Sequence, residues 1–172
     1  LKQRDPQTDE WVSASYGEGK SRSDALAQAF LDMGAGPDAP VMILSGNSIE
    51  SALVIMAAMA IGAPAAPISV PYCLMSTDFA KLKHCFNAAK PKVIFVQDLK
   101  PFEPALAALG DHGCTIIAVN GAGGDVQSYE ALTRTPVSPA IHAAIEALTD
   151  DSIGKYLYTS GSTGMPKPVP TT

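Results

Sequence analysis

The chain has 172 residues, 47% of them apolar and 17% charged, with a net charge of −5 at neutral pH. That length holds one ordinary domain with a real core, and the balance is that of a globular chain, not a disordered one. The acidic balance excludes a general binder of nucleic acid or anionic membrane, which needs a basic face, but leaves open a nucleotide held by one local loop.

Residues 11–15 read as a weak strand. Leu26, Ala29, Phe30 and Met33 then recur at helical spacing, with Gly34 as a stop. "PVMIL", residues 40–44, is a buried strand. Asn47 is placed to cap the next helix, with Glu50 three residues on in capping-box position. Residues 52–70, "ALVIMAAMAIGAPAAPISV", are long and apolar enough to span a membrane on hydropathy alone. Gly62, Pro64 and Pro67 interrupt them, however, and basic flanks are missing. They predict a buried helix ending at Gly62, then a buried parallel strand over 65–69, both covered on most sides.

Residues 76–89 predict a helix with Phe79, Leu82 and Phe86 on one face and Lys81 and Lys83 on a solvated surface. "KVIFV", residues 92–96, is a strand. Pro101 suits the first turn of a helix that carries Phe102, Ala105, Leu106 and Leu109 inward. "CTIIAV", residues 114–119, is a further strand. "NGAGGD", residues 120–125, is glycine-rich, but no helix pattern opens from it, so it reads as a connector. Ser138 and Pro139 start a helix bearing Ile141, Ile145 and Leu148, and "KYLYT" is the last strand. The alternation of strand and helix predicts an α/β fold in one unit, a parallel sheet with flanking helices.

Cys73, Cys85 and Cys114 are odd in number and widely spaced, and no pair has metal-ligand spacing. They predict reduced, mostly buried thiols in a cytoplasmic protein, with no metal site. His84, His112 and His142 do not cluster either, and read as surface or helix-end residues. The start, "LKQRDPQTDEW", has no apolar stretch of the signal-peptide kind.

Two segments are candidates for holding phosphate, which needs several donors converging on an anion beyond the end of a parallel strand. The first is "ASYGEGKS", residues 14–21, a relaxed Walker pattern ending Gly19-Lys20-Ser21, with Asp98 after an apolar strand as a magnesium-holding partner. Its feeding strand is short and half polar and its first glycine is missing. The plainer reading is a surface turn capped by Ser21 or Ser23 before an amphipathic helix. The second is "TSGSTGMPK", residues 159–167, which packs Thr159, Ser160, Ser162 and Thr163 around Gly161 and Gly164 and adds Lys167 after a proline bend. It leaves an apolar strand, as the geometry requires. Its plainer reading is a Ser/Gly-rich hairpin or linker.

"YTSGSTGMPK" resembles the signature of the adenylate-forming, AMP-binding superfamily, which includes acyl- and aryl-CoA synthetases, luciferases and peptide-synthetase adenylation domains. The run from "VMILSGNSIE" to "FAKLKHCF" is similar to the early part of these enzymes, and the "ILSGNSIE" and "LMSTDFAKL" wording is most similar to bacterial feruloyl-CoA synthases. The resemblance implies an ATP-dependent, AMP-forming carboxylate–CoA ligase. It would work with ATP, Mg2+ and coenzyme A on a carboxylic acid such as a hydroxycinnamate. Thr159, Ser160, Gly161, Ser162, Thr163, Gly164 and Lys167 would contact the nucleotide, with no catalytic residue and no metal ligand in this stretch. The family pattern has glycine after the lysine where this chain has Pro168, and Pro170 follows. The family's magnesium, ribose and catalytic-lysine motifs have no counterpart here. Residues 1–172 are therefore expected to be an incomplete N-terminal AMP-binding domain, inactive alone. The rival expectations are a Walker-type hydrolase or kinase, and a non-catalytic module that self-associates through an exposed sheet edge or apolar face.

Overall fold

A computed structural model of the chain describes residues 1–5, 8–159 and 164–172. The main sheet has seven strands, and its middle is built from three short apolar runs. These are β3 (Val41–Leu44), β4 (Ala65–Pro67) and β5 (Val93–Asp98). β3 pairs in parallel with both β4 and β5. Val41, Ile43, Val93 and Phe95 point into one core layer, and Met42, Leu44, Ile94 and Val96 into the other. Burial on both faces explains why these strands read as unbroken apolar runs and not as alternating ones.

β6 (Thr115–Asn120) extends the sheet beside β5, and the two-residue β7 (Gln127–Ser128) closes that side. On the other side β8 (Lys155–Thr159) runs parallel to β4, and β9 (Lys167–Thr171) pairs antiparallel with β8. The order is β7-β6-β5-β3-β4-β8-β9. The expected parallel sheet is thus present with one antiparallel edge strand. A separate hairpin joins β1 (Lys2–Arg4) to β2 (Trp11–Ser13). The strand expected over 11–15 therefore lies outside the main sheet.

One face is covered by α1 (Tyr16–Asp32), α2 (Ile49–Ala60), α6 (Tyr129–Leu132) and α7 (Ala140–Glu146). The other carries α3 (Pro71–Leu74), α4 (Ala80–Ala89) and α5 (Leu99–Ala108). α2 ends where expected, at Gly62, whose φ of 71° is the left-handed conformation that glycine adopts freely. No helix among the described residues is long and apolar enough to cross a membrane.

Several local expectations are corrected. The cap of α2 is Ser48, not Asn47, and Ser51 is its partner, not Glu50. The Ser48 hydroxyl accepts from the Ser51 N–H at 2.9 Å, and the Ser51 hydroxyl accepts from the Ser48 N–H at 2.9 Å. The helix expected over 76–89 starts only at Ala80. Ser76 and Asp78 accept from the N–H groups of Phe79 (2.9 Å) and Ala80 (3.0 Å), and Phe79 sits at φ 54°. These side-chain bonds compete with a helical turn there. Ile141 is buried, but Ile145 and Leu148 are exposed, because the short α7 packs on the α1–α2 layer mainly through its first turn. Cys73 and Cys85 are buried, whereas Cys114 is half-buried and donates to the Pro91 carbonyl. Burial raises the Cys85 thiol to about 11 and the Cys73 thiol to about 12, the latter with a smaller contribution from Cys85. Both stay protonated and unreactive near neutral pH.

Candidate functional site at the β8–β9 turn

The two candidate phosphate loops fall in very different places. Gly17, Gly19, Lys20 and Ser21 are all inside α1, so the Walker reading is overturned. The helix begins two residues after Ala14. Its cap is Ser15, not Ser21 or Ser23. The Ser15 hydroxyl accepts from the Glu18 N–H, and the Glu18 carboxylate accepts from the Ser15 N–H at 2.8 Å. Those bonds from Ser15, backbone first, hold the Glu18 carboxyl below its usual range. The Glu18 N–H is taken by the Ser15 hydroxyl, and from Gly19 onward the N–H groups are committed to i−4 carbonyls, as Gly19 is to Ser15, so they do not converge on an anion.

Gly19 has a packing role instead. It is buried where α1 packs on α2, and an added Cβ there would lie in ordinary contact with Leu53, at 3.6 Å. Lys20 is spent on an i,i+4 ion pair with Asp24. Both line an apolar groove of about 470 Å³ between the helices, with Tyr16, Leu53 and Met56. Asp98, the supposed magnesium partner, accepts from the Asn120 amide at 2.7 Å. Substituting Lys20→Ala is accordingly expected to leave ATP affinity within a factor of two in a calorimetric titration.

The second candidate sits at the turn of the β8–β9 hairpin. Thr159 ends β8, a strand that runs with β4, so it stands at the carboxyl end of the sheet alongside Leu44, Pro67, Asp98 and Asn120. Lys167 opens β9 and pairs directly with Thr159. Directly opposed residues of an antiparallel pair share a face, with Cβ atoms about 5 Å apart. Thr159 and Lys167 are both exposed, and no salt bridge among the described residues neutralises Lys167. Gly164 is exposed at the exit and Pro166 is buried. Ser160, Gly161, Ser162 and Thr163 lie outside the described residues. The segment 159–167 thus has the paired ends that the hairpin reading expects. Its ends are brought together by the strand pair, and it opens where parallel sheets of this kind bind ligands.

The face opposite Thr159 is turned inward. Tyr156 and Tyr158 lie against the core layer that contains Leu82 and Cys85. The Tyr158 hydroxyl donates to the Cys85 carbonyl at 3.2 Å, and burial, with smaller effects from Cys85 and Tyr156, raises its pKa so that it stays a donor. Beside the loop exit, Met165 joins Tyr72, Met75, Ser76, Asp78 and Lys81 around a groove of about 530 Å³. The Lys81 ammonium lies 5.2 Å from the centre of the Tyr72 ring. Nothing in the apolar periodicity of residues 71–89 pointed to this groove.

β9 went unread in the sequence because "KPVPT" has no strand signature. Its register sets Tyr158 opposite Pro168 and Tyr156 opposite Pro170. A proline cannot donate, so the ladder to β8 runs through Lys167, Val169 and Thr171, and both proline nitrogens face away from β8.

The AMP-binding enzyme family matches the chain over residues 2–172. The chain belongs to this family. This AMP-binding chain spans less than a third of the length of the relatives described below. It is 29% identical over 159 residues to surfactin synthase subunit 1 of Bacillus subtilis, covering 92% of this chain and 4% of that protein. It is 26% identical over 166 residues to the acyl-CoA ligase sidI of Beauveria bassiana, covering 91% of this chain and 28% of that protein. Its fold matches a benzoate CoA ligase from Burkholderia xenovorans with a TM-score of 0.72 at 19% identity, over 93% of this chain and 29% of that one. The AMP-binding assignment agrees with the helical placement of residues 17–21 and leaves the Walker alternative unsupported.

Proposed function

We propose that this chain is an N-terminal part of the large nucleotide-binding domain of an ATP-dependent, AMP-forming carboxylate–CoA ligase. Its acyl substrate would be a hydroxycinnamate such as ferulate. The observation that carries the reading is the pairing of Thr159 with Lys167 at the carboxyl end of β8, across a connection of serine, threonine and glycine. Such an arrangement suits the β- and γ-phosphates of ATP: hydroxyls and backbone N–H groups donate, and Lys167 offsets charge. The CoA ligases among the relatives support the reaction class. The wording of residues 43–50 and 74–82 supports ferulate.

In the reaction, a carboxylate oxygen attacks the α-phosphorus of ATP and the bond to the bridging oxygen breaks, giving an acyl-adenylate and pyrophosphate. The thiol of coenzyme A then attacks the acyl carbon and AMP leaves. This chain's residues serve the first step by binding and orientation: they hold the departing pyrophosphate and stabilise its growing charge. Mg2+ would come with the nucleotide, as the family resemblance implies. The protein works in the cytoplasm, where ATP and coenzyme A are supplied.

Incubating the chain with ATP, ferulate and coenzyme A tests the division of labour. ATP binding without pyrophosphate release above background is expected. Robust release would overturn the view that the remaining catalytic groups lie outside residues 1–172.

A further inference from the structure

The β8–β9 hairpin is joined to the sheet only at its base. β4 and β8 share a single register pair, Ala65 with Lys155, and the Ala65 N–H donates to the Gly154 carbonyl at 2.9 Å. From Tyr156 to Thr159, β8 has run past its ladder with β4. The loop-bearing end of the hairpin is therefore not held by the sheet on that side. α4 reaches it instead, through the hydrogen bond from the Tyr158 hydroxyl to the Cys85 carbonyl and the packing of Tyr156 and Tyr158 on the layer below.

Side chains alternate along a strand, so Tyr158 and Thr159 point to opposite faces. Tyr158 cannot share the face that Thr159 and Lys167 present. Its influence on them runs through the backbone.

We propose that Tyr158 is a positioning residue for Thr159 and Lys167: its hydroxyl, anchored on the Cys85 carbonyl of α4, sets where this opposed pair stands. This role rests on the nucleotide-binding reading of the loop. It also explains why a tyrosine precedes Thr159 although its ring faces the core, where a phenylalanine would fill the same space.

The test is Tyr158→Phe, which keeps the ring and removes the hydroxyl, made in the full 172-residue chain. Two measurements are needed. Amide hydrogen exchange without nucleotide is expected to quicken several-fold at Leu157, Thr159, Lys167 and Val169, and to stay unchanged in β3 and β5. ATP affinity is expected to fall roughly three- to ten-fold, the range set by the net worth of one hydrogen bond. Unchanged exchange in the hairpin would overturn the proposal. So would a uniform rise across all strands, which a merely stabilising hydroxyl would give. Equal ATP affinity of variant and wild type would overturn it as well. If the wild-type chain binds no ATP, the nucleotide reading has failed and the loop's role goes with it, while the exchange rates still decide whether Tyr158 holds the hairpin.

Discussion

Lys167→Ala is expected to weaken ATP binding by roughly ten- to a hundred-fold, the equivalent of losing one hydrogen bond to a charged group. Lys167 is exposed, pairs with Thr159 across the hairpin and has no ion pair among the described residues. Its charge is therefore available to a phosphate. The same exposure makes the substitution harmless to the fold, since surface changes of this kind stay within about 0.5 kcal/mol. Calorimetric titration with ATP reads the affinity, and a thermal melt controls for folding. Lys167→Arg should recover part of the loss, because charge is kept while shape changes. Raising the salt should narrow the gap between wild type and Lys167→Ala, as screening weakens an exposed charge. Unchanged affinity in Lys167→Ala would remove the residue from the site. Beside the neutral outcome expected for Lys20→Ala, the pair separates the two lysine-bearing loops by one assay.

Phe95→Ala is the second large expected effect, and it acts on the fold. Phe95 is fully buried near the middle of β5, a strand paired on both sides. Its ring lies 5.9 Å from that of Tyr129, which in turn has the Arg22 guanidinium 5.5 Å away. Removing a buried phenyl group costs about 3–5 kcal/mol, because a cavity remains that strands on both sides cannot collapse into. For a chain of this length that corresponds to a fall in Tm of about 6–20 °C. The Tyr129 hydroxyl is buried and has no hydrogen-bond partner among the described residues, so that corner of the core cannot draw on a polar contact to compensate. A fall of less than about 3 °C would show that the layer repacks freely.

These two residues also mark what could be read from the chain and what could not. β3 and β5 were legible because a strand buried in a parallel sheet is a short apolar run between turn residues, and β8 from its aromatic and apolar run Tyr156–Tyr158. α1 and α5 were legible from their periodicity, and α2 from its apolar run ending at Gly62. The start of α4 was not. Phe79, Leu82 and Phe86 keep helical spacing and pack on one core layer. Yet the Ser76 and Asp78 side chains hold the chain at Phe79 in a turn, and a spacing rule does not register that competition. Asn47 and Ser48 can both cap a helix. The choice of Ser48 depends on backbone angles that no single residue declares.

At the site, the phosphate-loop composition was plain, and so was the strand that feeds it. The return of Lys167 to a place opposite Thr159 was not, because it depends on a strand written as Lys-Pro-Val-Pro-Thr. The Walker resemblance failed for the converse reason. Gly-Glu-Gly-Lys-Ser is a local pattern, and whether it makes a loop depends on a buried strand before it. Here Ser15 and Glu18 start a helix instead.

Pro168 and Pro170 have a consequence beyond the loop. Their nitrogens occupy the outer border of β9, so a strand arriving from solvent would meet carbonyl oxygens there and no N–H to receive its own carbonyls. The opposite border of the sheet, β7, has two residues. A second copy of this chain meeting β9 from solution therefore finds no border there on which a shared sheet could be built. Self-association there is left with contact through side chains such as Leu157 and Val169, which are exposed. The proline that stands where the family pattern has glycine thus also keeps the β9 border of the sheet from growing sideways.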